Sequence, residues 1–168
     1  MTEKSTIIIP TVNNCRYLKL CIESIKKNSF YNHQIIVHIN GIDNESEDYL
    51  IGSKILYTKS DTNIGLCSGV NIASKKSNTD FIVYSHDDMY YLPKWDYYLF
   101  DEINKLKHKK FYFSSTNISH YPKKKDIINH IFFDSGKDLG SFDEEFLLSN
   151  YEHLQFHDLQ GSHWAPHI

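Results

Sequence analysis

Two adjacent carboxylates, Asp87 and Asp88, directly follow the apolar run at residues 81–85, and this junction is the part of the sequence best suited to chemistry. The run is typical of a buried strand, and open α/β sheets bind ligands at the tips of such strands. Neighbouring carboxylates repel each other, and hard cations such as Mg2+ and Mn2+ prefer oxygen ligands. The junction therefore predicts a metal-assisted nucleotide site. The alternative is an acidic turn in which one aspartate caps the next helix.

The composition is that of one folded domain of ordinary size. The chain has 168 residues, of which 40% are apolar and 14% aromatic, enough to bury a core. The net charge is -3, and Arg16 is the single arginine against seventeen lysines. Because bidentate reading of guanine and phosphate relies on arginine, we expect no nucleic-acid partner.

The cysteines and the hydropathy pattern indicate the compartment. Cys15, Cys21 and Cys67 are odd in number and lack metal-ligand spacing, which favours free thiols in a reducing compartment. No apolar run approaches the roughly 20 residues that a membrane span needs, and the polar start has no signal-peptide pattern. We expect a cytoplasmic protein without a membrane span. The sequence carries no indication of its oligomeric state.

Strand-like and helix-like segments alternate through the first two thirds of the chain. Such alternation implies right-handed crossovers and a mainly parallel sheet, so the predicted fold class is α/β with flanking helices. Short apolar runs predict strands at residues 6–9 (stopped by Pro10), 34–39, 54–58, 81–85 and 111–113. Apolar residues at helical spacing predict helices at 14–28, 66–76 and 92–107.

Two further expectations concern the segments around these elements. The third helix would turn Leu92, Leu99, Ile103 and Leu106 inward, and residues 40–48 read as a turn followed by an acidic stretch. Beyond residue 114 the periodicity is lost, although residues 132–133 and 142–148 could form short pieces of strand or helix.

Three segments in this order resemble the family 2 glycosyltransferases, which have the GT-A fold. Residues 7–14, Ile-Ile-Ile-Pro-Thr-Val-Asn-Asn, are similar to the opening strand of the family and its Pro-Thr-aromatic-Asn turn. Residues 63–66, with Gly69 and Asn71, are similar to its Asn-x-Gly segment. His86-Asp87-Asp88 is similar to its metal-binding Asp-x-Asp-type motif. Together these segments are fairly specific over residues 6–96, and residues 161–166 match a later segment more loosely.

The resemblance implies transfer, with inversion, of a sugar from a UDP- or GDP-type donor to a glycan or another hydroxyl acceptor. It implies Mn2+ or Mg2+ as cofactor, with Asp88 as the metal ligand and Asp87 beside it. Residues 1–114 would form the donor-binding half, and residues 115–168 an incomplete acceptor-side segment of the same domain. The residues implied to line the donor pocket are Pro10, Thr11, Asn13, Asn63 and Gly65.

The chain departs from the family pattern at three places. Family members carry an acidic residue that reads the base in the turn after the second strand, where this chain offers Asn40 or Asp43. His86 takes the first position of the acidic triplet and leaves two carboxylates. The segment at residues 140–145 is similar to the stretch before the catalytic base of the family, but it precedes Gly161-Ser162-His163-Trp164, which reverses the usual order.

The catalytic base is therefore unassigned. His163 and Trp164 are weak candidates for the acceptor side, because a tryptophan face can stack on a sugar ring. Candidate bases, each also explained as a solvated surface acid, are Asp143, Glu144, Glu145, Glu152 and Asp158.

Two other functions stay open at this point. A truncated or naturally short form that lacks the base would be a nucleotide-sugar-binding module without transferase activity. A nucleotidyltransferase would also hold a metal with carboxylates, but it predicts a Gly-rich basic loop after the first strand. Residues 10–14 contain neither glycine nor lysine.

Overall fold

The computed structural model of the chain describes residues 3–108, 110–120 and 130–154, which fall into two compact units, residues 1–105 and 106–168. In the first unit strands alternate with helices, as predicted. Its elements are β1 (Thr6–Thr11), α1 (Cys15–Asn28), β2 (Gln34–Asn40), α2 (Asn44–Gly52), β3 (Leu56–Ser60), α3 (Leu66–Ser74), β4 (Ile82–Tyr84) and α4 (Trp95–Lys105).

The four strands form one parallel sheet in the order β3-β2-β1-β4, which confirms the prediction of a mainly parallel sheet. Ile7 and Ile9 point to the face that packs against α1 and α2, together with Val37 of β2. Ile8 points to the opposite face and packs with Ile36 and α3. Both faces of β1 are therefore buried, as the unbroken apolar run of this strand indicates.

β1 runs through Pro10 to Thr11, so the prediction that Pro10 stops the strand was wrong. The N–H of Thr6 donates to Phe81, and the carbonyl of Ile8 accepts from Ser85. Because alternate residues of β1 face β4, a backbone N–H at position 10 would also point toward β4, but beyond the last residue of that strand. No ladder partner is needed there, so the missing N–H of proline is tolerated.

The acidic stretch that follows the turn after β2 forms most of helix α2, which was not predicted. Asp43 is the N-cap of α2, and its carboxylate accepts hydrogen bonds from the backbone N–H of Ser46 (3.1 Å) and from the Ser46 hydroxyl (2.6 Å). Acidic residues in the first turn, here Glu45 and Glu47, also suit the positive end of a helix. The sequence analysis assigned no helix to this acidic stretch, and β3 begins two residues later than predicted.

Two other predicted features of the first unit were also wrong. The inward residues of α4 are Asp96 and Phe100, whereas Leu92, Leu99, Ile103 and Leu106 are only partly buried. β4 spans three residues instead of five, and the side chain of Ile82 is half exposed. β4 is one of the two outer strands of the described sheet, so its side chains have fewer neighbours than those of a central strand.

The second unit contains two short parallel strands and a short helix, and residues 111–113 form no strand, contrary to the prediction. Asp143 caps the helix by accepting a hydrogen bond from the backbone N–H of Phe146 (2.8 Å). The elements are β5 (Asn117–Ser119), β6 (His130–Phe132) and α5 (Glu144–Asn150), followed by a 3-10 turn (Tyr151–His153).

A buried carboxylate joins α4 to the loop before β2. Asp96 is fully buried and accepts hydrogen bonds from the backbone N–H groups of Phe30 (2.8 Å) and Tyr31 (2.7 Å). Its Oδ2 also lies 2.9 Å from His33 Nε2, and His33 Nδ1 lies 2.7 Å from the Ser5 hydroxyl. Burial acts to raise the pKa of Asp96, but the hydrogen bonds and the attraction of His33 outweigh it and lower the pKa.

We expect Asp96→Asn to lower the free energy of unfolding by roughly 1 to 3 kcal/mol at pH 7, because buried N–H groups lose a charged acceptor. The folded pKa lies below the unfolded value of about 3.9, so this contribution is present above that pH and lost as the pH falls through the folded value. Urea unfolding between pH 7 and pH 3 measures the difference. Asp101→Asn, an exposed position on the same helix, is the control; a wild-type advantage over Asp96→Asn that stays constant across the pH range would contradict the assignment.

Helix α3 lies unusually close to β2 at Gly69. A Cβ placed on Gly69 would stand 2.5 Å from Cδ2 of His38, closer than real Cβ contacts allow. The His38 ring is fully buried, and its Nδ1 lies 2.8 Å from the Thr58 hydroxyl, so the ring cannot easily move aside. Burial lowers the pKa of His38, which keeps the ring neutral at pH 7.

We therefore expect Gly69→Ala to destabilise the protein by roughly 1 to 3 kcal/mol through overpacking, despite the higher helix propensity of alanine. Gly52→Ala is the matched control, because nothing lies within 4 Å of the added Cβ. Adding His38→Ala to Gly69→Ala should recover part of the loss. Denaturant unfolding of the single and double variants measures this coupling, and strictly additive effects would show that the two residues do not compete for space.

Candidate functional site

The predicted donor residues of the first unit gather at one edge of the sheet. The four strands are parallel, so their carboxyl ends, at Thr11, Asn40, Ser60 and Tyr84, lie along the same edge. This is the edge at which open α/β sheets bind ligands. Eight predicted residues lie on these strand ends or on the loops that follow them: Pro10, Thr11, Asn13, Asn40, Asn63, Gly65, Asp87 and Asp88.

Asp87 is held by the tip of β1. The Thr11 hydroxyl donates to Oδ2 of Asp87 at 2.6 Å, and the Asn14 amide donates to Oδ1 at 2.9 Å. Burial raises the pKa of Asp87, the two donated hydrogen bonds oppose that shift, and the neighbouring charge of Asp88 adds to it. Asn14 was not among the predicted site residues, although it lies in the Asn-Asn pair of the first motif.

Asp88 has a different environment from Asp87. Its side chain is exposed, and no side chain in the described part of the chain donates a hydrogen bond to it. Two carboxylates therefore stand side by side, one held by the protein and one turned to solvent. Such a pair suits a divalent cation that also binds the phosphates of a substrate.

The turn that carries the two aspartates is fixed from inside the protein. The Ser85 hydroxyl donates to the carbonyl oxygen of His86 at 2.8 Å, and the Cys21 thiol lies 3.5 Å from the same oxygen. Burial raises the pKa of Cys21 to about 12, so the thiol stays protonated and inert. Neither residue was predicted to support the site, and only their burial in the fold identifies them.

Asn40 joins the end of β2 to the segment before α3. Its side-chain oxygen accepts a hydrogen bond from the backbone N–H of Ile64 at 2.8 Å. The side-chain oxygen of Asn63 accepts from the N–H of Gly65 at 2.9 Å, in a tight turn. Gly65 has a φ of +83°, a conformation that favours glycine. The asparagines and the glycine of this segment therefore shape the loop, and Asn63 and Gly65 are exposed on it.

Asp43, the other candidate for contacting the nucleotide base, is buried, and its carboxylate already accepts hydrogen bonds from the protein. Besides capping α2, it accepts a hydrogen bond from the backbone N–H of Asn13 at 2.9 Å. This contact holds Asn13 at a φ of +50°, in the left-handed region that asparagine tolerates. Aspartate is a common N-cap residue, but Asp43 in the sequence fits a turn as well as a cap.

The described residues offer oxygen ligands for one cation but no larger cluster. Within residues 3–108, 110–120 and 130–154 there is no group of three or more His, Cys, Asp or Glu side chains that could hold a metal. Asp87 and Asp88 fit a hard cation whose other ligands are water and phosphate oxygens. They do not fit a structural zinc site.

The candidate bases belong to the second unit. Asp143 caps α5, Glu144 and Glu145 lie in the first turn of this helix, and Glu152 lies in the 3-10 turn that follows. Acids at a helix start have a structural explanation, because they favour the N-terminal dipole. Asp158, His163 and Trp164 lie outside the described residues, so their predicted roles stay predictions.

The described helices are all too short or too polar to cross a lipid bilayer.

The three cysteines are free: Cys15 and Cys21 are buried and Cys67 is exposed.

Comparison with known sequences points to one family. The model of the family described as Glycosyl transferase family 2 matches residues 6–164. An uncharacterized glycosyltransferase of Rickettsia prowazekii is 33% identical over 107 residues, which cover 62% of this chain and 33% of the relative. An uncharacterized glycosyltransferase of Rickettsia typhi is 32% identical over the same length and coverage. The matched part of the chain thus spans about a third of these relatives.

Comparison with solved structures agrees on the fold. The crystal structure of S. aureus TarS has a TM-score of 0.55 and 18% identity, covering 61% of this chain and 20% of that one. A crystal structure of S. aureus TarS 1-349 in complex with UDP has the same score and identity, and covers 61% of this chain and 32% of that one. These similarities and the parallel sheet confirm the predicted GT-A fold. Because the family model spans almost the whole sequence, the chain belongs to glycosyl transferase family 2.

Proposed function

We propose that this chain carries the donor site of a metal-dependent, inverting glycosyltransferase that uses a UDP- or GDP-linked sugar. The observation that carries the proposal is the pair of carboxylates at the sheet edge, with Asp87 held by Thr11 and Asn14 and Asp88 exposed beside it. Family membership supports sugar transfer, and the complex of TarS 1-349 with UDP supports a uridine nucleotide. The acceptor would be a hydroxyl of a glycan or another molecule.

Each residue of the site has a separate task in this proposal. Asp88 would hold Mn2+ or Mg2+, which when bound supplies positive charge for the diphosphate leaving group. Thr11 and Asn14 keep the Asp87 carboxylate in one orientation beside Asp88. Asn40 holds the loop before α3 in place, and Gly65 lets this loop approach the donor closely. The proton of the acceptor hydroxyl needs a base, for which the candidates are the acids named above.

A cytoplasmic location is part of the same proposal. Three free cysteines support a reducing compartment, and nucleoside-diphosphate sugars are charged and do not cross membranes unaided.

We expect Mn2+ to strengthen the binding of UDP or GDP, and we expect this gain to disappear in Asp88→Ala. The reason is that the exposed carboxylate would share the cation with the diphosphate. Isothermal titration of each nucleotide, with and without Mn2+, measures the effect, and the preferred nucleotide identifies the base.

The control variant for this titration is Asp80→Ala, another exposed aspartate near β4. It should bind as the wild type does, because it lies before the strand rather than after it. Nucleotide affinity that does not depend on Mn2+, or that Asp80→Ala lowers as much as Asp88→Ala, would contradict the assignment of the metal site.

Measuring how fast the nucleotide-sugar donor is consumed distinguishes sugar transfer from donor binding alone. We expect this chain, given a UDP-sugar or GDP-sugar and Mn2+, to release the nucleoside diphosphate faster when hydroxyl acceptors are added. Released UDP or GDP is measured by a coupled assay, with Asp88→Ala as the blank. Tight metal-dependent binding without any release would identify a nucleotide-sugar-binding module instead of a transferase.

A further inference from the structure

A chain of hydrogen-bonding side chains connects β3 and β2 to the segment that precedes α3. We name Thr58, His38 and Ser60 the polar relay. The Thr58 hydroxyl lies 2.8 Å from Nδ1 of His38, and the Ser60 hydroxyl lies 3.4 Å from Nε2 of the same ring. The Ser60 hydroxyl also donates to the backbone carbonyl of Thr62 at 2.8 Å. The polar relay therefore begins inside the sheet and ends on the backbone of the loop at residues 61–65.

The hydrogen bonds of the polar relay run in one direction. The Ser60 hydroxyl has a single proton, and the Thr62 carbonyl is its nearest acceptor. The side-chain oxygen of Asn40, 3.4 Å from the Ser60 hydroxyl, can accept but cannot donate. Of these neighbours His38 alone can donate to the Ser60 oxygen, and it does so from Nε2 in a long hydrogen bond. The Thr58 hydroxyl then donates to Nδ1, which fixes one neutral tautomer of the ring.

The ring at the centre of the polar relay is fixed in place. His38 is fully buried, and a Cβ added to Gly69 of α3 would stand 2.5 Å from its Cδ2 atom. Burial lowers the pKa of His38, which favours the neutral ring that the hydrogen bonds require. Ser60 stands directly opposite Asn40 in the register of β3 and β2. The position of the Ser60 hydroxyl is therefore set by the sheet and by the ring together.

The loop at residues 61–65 depends on a few polar contacts. Four of its five residues are exposed, and Ile64 is half-buried. The sheet holds the loop at two points: Ser60 donates to the carbonyl of Thr62, and Asn40 accepts from the N–H of Ile64 at 2.8 Å. A segment with so little buried apolar surface has low local stability. The loss of one of these hydrogen bonds should therefore loosen the whole loop.

The contact with Ser60 also sets the orientation of Asn63. The carbonyl of Thr62 and the N–H of Asn63 belong to one planar peptide group, in which the two bonds point in opposite directions. A carbonyl held toward Ser60 therefore turns the N–H of Asn63 away from Ser60. The side chain of Asn63 in turn accepts from the N–H of Gly65 at 2.9 Å. Both predicted donor residues of the loop thus depend on the Ser60 hydroxyl.

We propose that Ser60 and His38 are positioning residues for the nucleotide-sugar donor. His38 orients the Ser60 hydroxyl, and Ser60 holds the peptide group between Thr62 and Asn63 in its donor-binding orientation. This inference rests on the proposed function, because the loop borders the donor only if a nucleotide sugar binds at this sheet edge. His38 is fully buried and acts through Ser60. A loop that is already ordered costs less entropy when the donor binds.

A purely structural role for the polar relay makes a different prediction. In that case the hydroxyls would do no more than satisfy the two nitrogens of His38, as buried polar atoms require. Replacing Ser60 would then lower the free energy of unfolding and leave nucleotide affinity unchanged in the folded protein. The positioning role predicts that affinity is lost although the protein is folded.

The test is isothermal titration of UDP and GDP in the presence of Mn2+, at a temperature at which circular dichroism shows each variant to be folded. Ser60→Ala should weaken binding about fivefold, the equivalent of one ordinary hydrogen bond. Ser60→Thr keeps the hydroxyl and should restore most of the lost affinity. Ser74→Ala is the matched control, because it removes a hydroxyl that donates to a backbone carbonyl at 3.0 Å from the last residue of α3.

Two measurements test the polar relay without any nucleotide. Hydrogen exchange of the Ile64 amide should be about fivefold faster in Ser60→Ala than in the wild type, and unchanged in Ser74→Ala. Proton–nitrogen correlation spectra of protein labelled at histidine should show the proton of the His38 ring on Nε2. The signals of this ring are identified by their loss in His38→Gln.

Four outcomes would contradict these assignments. Wild-type nucleotide affinity in Ser60→Ala would overturn this inference and leave the donor site standing. An equal loss in Ser60→Thr would show that the shape of residue 60, and not its hydroxyl, matters. A proton on Nδ1 of His38 would remove this ring from the polar relay. A wild type that binds neither UDP nor GDP would overturn the proposed donor site itself, and the positioning role with it.

Discussion

The hydrogen bond from the Thr11 hydroxyl to the Asp87 carboxylate is the contact on which the arrangement of the site depends. β1 and β4 pair over only three residues, so their backbones alone do little to fix the turn after β4. The side chains of Thr11 and Asn14 extend the connection beyond the last backbone pair. A half-buried carboxylate needs hydrogen-bond donors, and here one donor comes from the end of β1 and the other from the residue that precedes α1. The position of Asp88 follows from that of its neighbour.

The same physical solution recurs at the other loops of the first unit. Asp43 accepts from the N–H of Asn13, Asn40 from that of Ile64, and Asp96 from those of Phe30 and Tyr31. In each case a buried side-chain oxygen satisfies backbone donors of a loop that has no ladder partner. The loops of an α/β sheet are its functional parts, and in this protein single polar side chains hold several of them.

The sequence predicts the parallel sheet well, because the apolar runs of β1 and β2 are buried on both faces and have no other stable location. The residues of the sheet edge could also be identified, since parallel strands end together. Helix α2 was missed because Asp43 reads equally as a turn residue or a cap, and only the contact with Ser46 separates the two. Asp96 was missed because hydrophobic periodicity cannot indicate a buried acid, whose stability depends on donors more than 60 residues away. The base stays unassigned because the four described candidates lie at the start of α5 or in the 3-10 turn after it, where acids have a structural explanation, and Asp158 lies outside the described residues.

The shape of β4 has a consequence for how the chain behaves in solution. Outer strands carry unpaired backbone groups and are templates for edge-to-edge association between molecules, and proteins limit this hazard with very short edges and with lysine. β3, the other outer strand, carries Lys59, which pairs with Glu47. β4, an outer strand among those described, has no lysine and is three residues long. Within the part of the sheet that the structure describes, the shortness of β4 limits the stretch that another molecule could pair with, and a longer strand would extend that stretch.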